Sequence, residues 1–167
     1  ELTIGNIKTI RVDDYTGYSF YLNYISDHRP VIWSFSVEPV ELAYGLIINE
    51  IMQNPASVSD AAGEWIEITN ISDETINLYN LILRDDGGEQ HVISENVDVT
   101  PGSYIVLGSE NDPALNGGIN VNYEYSGITL SNLWDEVILE HPTGVILDEI
   151  YYDNGTTFPD ESGKSMM

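Results

Sequence analysis

Short apolar runs, broken at alternate positions by polar residues, recur along most of this 167-residue chain. Between residues 46 and 152 about seven such runs follow one another at spacings of roughly 8–15 residues, and each ends at Asn, Asp, Gly or Pro. This pattern is typical of antiparallel strands with one buried and one solvated face, and it predicts an all-β fold, an antiparallel β-sandwich. The predicted strands are 46–51, 64–70, 76–78 with 81–84, 91–93, 104–108, 137–140 and 145–152.

The beginning of the chain forms a separate block with a similar pattern. Three strands are predicted there, at 2–12 with a kink at Gly5, at 18–25 and at 30–37. Pro39 ends this block, because it holds the preceding residue extended and has no N–H for a strand ladder. We therefore predict an N-terminal β-strand appendage at 1–37, a linker at 38–44 and a main module at 45–167.

Turn residues separate the predicted strands of the main module. Gly87 and Gly88 after two aspartates, and Gly144 after Pro142 and Thr143, predict tight turns that need positive φ. A long loop is predicted at 109–127, and almost no helix is predicted anywhere. The tail at 154–167 is expected to have little to pack against the module apart from Phe158.

The charge is strongly negative and unevenly distributed. The whole chain has 5 Lys and Arg against 28 Asp and Glu, a net charge of −23, and residues 45–167 contain only Arg84 and Lys164 as basic residues. Such a surface repels phosphate backbones, so we predict no direct nucleic acid binding by 45–167. Two interpretations stay open, a highly soluble secreted surface and a specific requirement for a cation.

Further function classes are excluded by composition. The absence of cysteine rules out disulfides and thiolate metal sites, and no run of 18 apolar residues predicts a membrane span. His91 and His141 are isolated in the sequence, which argues against zinc. The chain begins at Glu1 rather than Met, so we interpret it as a piece of a longer polypeptide.

Seven segments of the main module together resemble one family. They are I-N-E-I (48–51), G-E-W-I-E-I-T-N (63–70), L-Y-N-L-I-L-R-D-D-G-G (78–88), P-G-S-Y-I-V-L (101–107), L-S-N-L-W-D-E-V-I-L (130–139), G-V-I-L-D-E-I-Y-Y (144–152) and G-K-S-M (163–166). In this order they resemble the lamin-tail domain, an immunoglobulin-like module known from nuclear lamins and, in variant form, from many bacterial extracellular proteins. The resemblance implies a non-catalytic, immunoglobulin-like β-sandwich. The strand at 81–83 lacks the Trp usual in that pattern, and we expect Trp134 to fill core volume in its place.

The segment I-S-D-H-R-P-V-I-W-S-F (25–35) resembles the closing strand of the deoxyribonuclease I-like endonuclease/exonuclease/phosphatase family. The resemblance implies a catalytic role for His28 and a metal-side role for Asp27, with Mg²⁺ as the metal of the parent enzyme. The alternative is that Ser26 and Asp27 form a turn and His28 is its exposed end. The other catalytic groups of this family come from strands before Glu1, so residues 1–37 are expected to be a remnant that can associate through strand edges.

Acidic clusters suggest calcium ligands, since Ca²⁺ prefers six to eight oxygen donors. The candidates are Asp85 and Asp86 at the glycine turn, and Asn132 and Asp135 on one later turn. None has the spacing of an EF-hand, and the alternative for each is turn capping or solvation, with Asp135 in particular bonding backbone N–H groups. No cofactor is predicted to be required; calcium is a possibility for the module.

Three functions are consistent with these features. The first is a tethering or protein-binding module at the C-terminus of a secreted bacterial or archaeal metal-dependent nuclease or phosphatase, located extracellularly or at the cell surface. In the second, the chain is a fragment of that enzyme and the activity belongs to the upstream domain. The third is an adhesion module that stacks sugar rings on aromatic side chains. Its candidate residues are Tyr123, Tyr125, Trp134, Tyr151 and Tyr152.

Overall fold

The computed structural model of this chain describes residues 2–9, 31–37, 45–157 and 161–167. The chain divides into two compact units, Glu1–Glu41 and Leu42–Met167. Within the described ranges no helix has the length and apolar character needed to cross a membrane.

The first unit contains two antiparallel strands, β1 (Leu2–Thr9) and β2 (Val31–Val37). Their register runs from Leu2 opposite Val37 to Thr9 opposite Val31 and shifts between Ile4 and Ile7, where the sequence predicts the kink at Gly5. The predicted strand at 18–25 and the predicted linker at 38–44 lie outside the described residues.

The second unit is built from two four-stranded sheets, ordered β10-β9-β4-β3 and β12-β11-β6-β7, and a small β5-β8 pair. Its strands are β3 (Leu46–Met52), β4 (Trp65–Asn70), β5 (Ile76–Asn77), β6 (Ile82–Arg84), β7 (Gln90–Val92), β8 (Asp98–Val99), β9 (Tyr104–Gly108), β10 (Tyr123–Glu124), β11 (Trp134–Glu140) and β12 (Ile146–Asp153). All pairs are antiparallel except β10 with β9. The predicted all-β immunoglobulin-like sandwich is confirmed.

Alternating side chains of the two inner strands build the core. Ile66 and Ile68 of β4 are fully buried, and Val137 and Leu139 of β11 join the same apolar cluster from the other sheet. Burying one such side chain contributes about 1.5–3 kcal/mol, so the period-two pattern of both strands drives the sheets together. At one side of the sandwich the edges are joined by Asp148 of β12, whose Oδ2 accepts the Ile48 N–H at 2.7 Å.

Asn70 connects the end of β4 to two neighbouring loops. Its Nδ2 donates to the carbonyl oxygens of Glu74 at 2.7 Å and Val99 at 2.8 Å. Its Oδ1 accepts from the backbone N–H of Ser72 at 2.9 Å and from the Ser72 hydroxyl at 2.7 Å. The fully buried amide is therefore saturated, which is the condition for a polar side chain to be stable in a core.

The two predicted glycine turns are confirmed, since Gly88 has φ 104° and Gly144 has φ 85°. One short helix, α1 (Asp60–Gly63), lies between the predicted strands 46–51 and 64–70, where the sequence predicts no helix. Its last residue must be glycine because a Cβ on Gly63 would lie 2.4 Å from Cγ2 of Val58.

The expectation for the tail is wrong. Met166 is 4% exposed and belongs to the core cluster, and its N–H and carbonyl both bond to Ile51 at 2.8 and 2.9 Å. This backbone pairing covers the edge of β3, which brings a residue distant in sequence into the core. Phe158 lies outside the described residues.

Candidate functional site

The outer face of the β12-β11-β6-β7 sheet exposes two aromatic side chains. Val137 and Leu139 point into the core, so the alternation of β11 turns Trp134, Glu136 and Ile138 to the other face, where Ile138 is itself buried and Glu136 is half-buried. Trp134 is 70% exposed and lies opposite Asp153, and Tyr151 of β12 is 53% exposed and lies opposite Glu136. Trp134 therefore does not fill the core, and that expectation is wrong.

Carboxylates surround these aromatic side chains. Glu149 lies opposite Ile138 on the same outer face, and Glu136 accepts the backbone N–H of Asp86 at 2.7 Å through Oε1. The Asp86 carboxylate also lies 3.5 Å from the hydroxyl of Tyr151. We name the surface formed by Asp86, Trp134, Glu136, Glu149 and Tyr151 the aromatic–acidic face.

The pKa values of two side chains at this surface, Tyr151 and Arg84, are raised. Partial desolvation, followed by the negative charges of Asp86, Glu149 and Glu136, raises the pKa of Tyr151 above its ordinary value. The hydrogen bond to Glu140 raises the pKa of Arg84 and keeps it charged. Arg84 binds Glu140 through Nε at 2.7 Å and Asp86 through a guanidinium nitrogen at 3.2 Å. In the part of the chain that the structure describes, Glu136 and Glu149 have no cationic partner.

The first pair of calcium candidates forms the turn between β6 and β7. Oδ1 of Asp85 accepts the backbone N–H groups of Gly88 and Glu89, both at 2.7 Å, which is a turn-capping arrangement. Asp86 is exposed and pairs with Arg84. The carboxylates of this turn thus satisfy protein donors.

The second pair of candidates lies on the turn that leads into β11. Nδ2 of Asn132 donates to Oδ2 of Asp60 at 2.8 Å. Asp135 accepts the Ser131 N–H at 2.7 Å and the N–H of Glu136 at 3.0 Å, the backbone role that the sequence suggests as its alternative. In residues 45–157 and 161–167 no three His, Cys, Asp or Glu side chains are grouped so as to hold a metal ion, and calcium binding stays a prediction of the sequence.

Sequence reasoning missed the most perturbed carboxylate of the module. Glu64, directly before β4, is 2% exposed, and its Oε2 accepts the Leu130 N–H at 3.1 Å. Burial raises the pKa of Glu64 to about 7, the Leu130 N–H opposes this, and Asp60, Asp135 and Glu89 add to it. No local pattern distinguishes Glu64 from an exposed strand residue, because the segment that buries it lies more than 60 positions later.

Three buried side-chain oxygens have no hydrogen-bond partner among the described residues. They are Oε1 of Glu64, Oδ1 of Asn132 and the hydroxyl of Tyr125. The pKa of Tyr125 is raised by burial and by the charge of Glu64. Protonation of Glu64 removes the negative charge that burial disfavours.

The aromatic residues that the sequence suggests for sugar stacking differ in their exposure to solvent. Tyr123, Tyr125 and Tyr152 are buried, so they cannot stack on a sugar from solvent, whereas Trp134 and Tyr151 can. His91 bonds the Tyr123 hydroxyl through Nε2 at 2.7 Å and links β7 to β10. The catalytic candidates Asp27 and His28 lie outside the described residues.

Fold and surface together define an immunoglobulin-like β-sandwich module. A family model described as the Lamin Tail Domain matches residues 42–154. The chain belongs to the lamin tail domain family. No curated protein matches the chain.

Proposed function

We propose that residues 45–167 are a non-catalytic module that tethers or orients a secreted metal-dependent nuclease or phosphatase at a cell surface or matrix, or that binds another protein. The supporting observation is the aromatic–acidic face, which presents large side chains on a rigid sheet rather than in a pocket. Among the described residues, Glu64 is the carboxylate whose pKa is raised to about 7, and it is buried and out of reach of a substrate.

The enzyme part of the proposal rests on the sequence at 25–35. There the resemblance gives His28 the catalytic role and Asp27 a place beside Mg²⁺, with the remaining catalytic groups upstream of Glu1. The acidic, cysteine-free composition and the bacterial extracellular variants of the family support an extracellular or cell-surface location in bacteria or archaea. Association of residues 1–37 with another chain through strand edges is part of the same proposal.

The test compares the natural polypeptide that contains this chain with a version lacking residues 45–167. We expect hydrolysis of a small soluble phosphodiester to keep its kcat/KM, while retention on washed cells or matrix is lost. His28→Ala is the matched control, because it is expected to abolish hydrolysis and leave retention unchanged. Loss of hydrolysis with retention intact after the deletion would contradict the tethering role. If the sequence upstream of Glu1 lacks a metal-binding Glu, an Asn and a second Asp-His pair, the proposal of a parent nuclease is contradicted.

A carbohydrate-adhesion function is the second candidate, and the exposure of Trp134 and Tyr151 supports it. Carbohydrate binding would depend on the aromatic rings alone, because neutral sugars stack on the ring faces and need no charged groups around them. A glycan array distinguishes the two functions, because retention through protein partners predicts no binder among neutral glycans.

A further inference from the structure

The arrangement of Trp134 and Tyr151 is suited to an extended partner. They lie on the neighbouring strands β11 and β12, Trp134 opposite Asp153 and Tyr151 opposite Glu136, so they are diagonal neighbours on one face. Diagonal positions of an antiparallel pair are about 7–8 Å apart, within reach of two large rings. The two exposed rings lie on neighbouring strands of one face, and we call this pair the aromatic strip.

The charges around this strip determine which partner it fits. Glu136 lies opposite Tyr151 and two residues after Trp134, Glu149 precedes Tyr151 by two residues on the same face, and Asp86 reaches the Tyr151 hydroxyl. Arg84 is already engaged by Glu140 and Asp86. The exposed strip is thus bordered by carboxylates whose counter-charge has to come from outside the module.

Building on the proposed binding function, we propose that the aromatic–acidic face binds a lysine- and arginine-rich extended segment of a partner protein. An ammonium or guanidinium group can lie over the Trp134 or Tyr151 ring while it pairs with Glu136 or Glu149. Guanidinium groups suit this surface best, because they stack on aromatic rings and bind carboxylates through two parallel hydrogen bonds.

The composition of the chain supports the same partner. Residues 45–167 contain Arg84 and Lys164 as their only basic residues against 22 acidic ones, so a basic partner is attracted over the whole surface and held at this face. Phosphate-bearing partners are repelled by that field. A neutral sugar would use the two rings but leave the three carboxylates without a role.

The test measures binding of a ten-residue peptide of alternating Arg and Gly to the full chain by calorimetry at 50, 150 and 500 mM NaCl, with an alternating Glu and Gly peptide as the negative probe. We expect binding of the basic peptide that weakens as salt rises. Trp134→Ala with Tyr151→Ala, and Glu136→Gln with Glu149→Gln, should each weaken it by about tenfold or more.

Matched control variants separate the face from the general negative field. Tyr79→Ala with Tyr104→Ala removes two aromatic side chains of similar exposure, 50% and 57%, and Glu74→Gln with Glu95→Gln removes two exposed charges elsewhere. Each control should change affinity by less than about twofold. Melting temperatures of all variants verify that the fold is intact.

Three results would overturn the inference: equal effects of face and control variants, no binding of the basic peptide, or salt-independent binding of a neutral polysaccharide that is lost with Trp134 and Tyr151. The failure of this inference is distinguishable from that of the proposed function. If deletion of 45–167 abolishes retention but the face variants in the natural polypeptide do not, tethering stands and this face is not its basis.

Discussion

Glu64 and the carboxylates of the aromatic–acidic face lie in opposite environments of one module. Glu64 is 2% exposed and its Oε1 has no hydrogen-bond partner among the described residues, whereas Glu136 and Glu149 border exposed rings on the outer face of a sheet. Burial raises the pKa of Glu64 to about 7. The carboxylate of Glu64 thus lies in the interior with one oxygen unpartnered, whereas the carboxylates of Glu136 and Glu149 belong to a charged surface.

This comparison shows that the tertiary position of an acidic residue decides its role. Glu64 and Glu136 both occur in alternating apolar and polar strand patterns. The loop at 125–132 covers Glu64. Glu136 lies on the outer face of its sheet, and the apolar core lies on the opposite face.

Asn70→Ala is expected to have the largest effect, because the buried amide loses four hydrogen bonds at once. At about 1 kcal/mol for each bond, the free energy of unfolding should fall by about 4 kcal/mol. Urea unfolding measures this, and Asn111→Ala at an exposed position is the control, with a change below about 0.5 kcal/mol. If Asn70→Ala lowers the free energy of unfolding only slightly, the four hydrogen bonds of Asn70 contribute less to stability than their number indicates.

Glu64 should make stability depend on pH. Its folded pKa of about 7 lies above the ordinary 4.5, so the folded state binds the proton more tightly than the unfolded state. The stabilisation is fully present below pH 4.5 and is lost as the pH rises through 7, with an amplitude of about 3 kcal/mol.

Glu64→Gln tests this pH dependence directly. The variant should match the stability of the parent chain near pH 4 and exceed it near pH 8, because Gln is neutral at both pH values and no buried charge has to form. Glu136→Gln is the control for the general change in charge and should show no such difference between the two pH values. Parallel stability curves for Glu64→Gln and the parent chain would contradict the raised pKa.

Asp85→Ala should lower the free energy of unfolding by about 1.5 kcal/mol, because two backbone N–H groups of the glycine turn lose a charged acceptor. Thermal unfolding with and without millimolar Ca²⁺ measures this cost and tests the calcium prediction for Asp85, Asp86, Asn132 and Asp135. A calcium-dependent rise in Tm that Asp85→Ala removes would give Asp85 a ligand role beyond its turn.

Trp134→Ala should have the smallest effect on stability, below about 0.5 kcal/mol, because the ring is 70% exposed. Val137→Ala, three positions along the same strand, is the internal comparison and should lose about 2 kcal/mol as a buried core residue. If both substitutions cost the same, Trp134 packs more tightly than its exposure indicates.

Much of the fold was predictable from local patterns. Alternation placed the strands of both sheets except β10 (Tyr123–Glu124), which lies inside the predicted loop at 109–127, and the glycines at 88 and 144 marked turns that need positive φ. β11 begins at Trp134, three residues before the predicted start at 137, because Trp134 and Asp135 pair with Asp153 and Tyr152 in a hairpin that the apolar pattern does not reach. Met166 was missed because its contact with Ile51 joins residues far apart in sequence.

The candidate site was less predictable for the same reason. The sequence pointed to Trp134 and Tyr151 as aromatic candidates and to Asp85 and Asp135 as turn residues. It assigned Trp134 to the core, because a period-two pattern gives two faces but does not say which face another sheet covers. Buried partners of Glu64 come from a segment beyond the reach of any local pattern.

The class of fold, the family and the negative charge follow from the amino-acid sequence alone, because strand periodicity, turn chemistry and ionisable side chains are local properties. The burial of Glu64, the place of Met166 in the core and the shared acidic face of Trp134 and Tyr151 follow from tertiary packing. These outcomes depend on which segments pack together, and that is set by the summed burial of both sheets rather than by any one stretch of the chain.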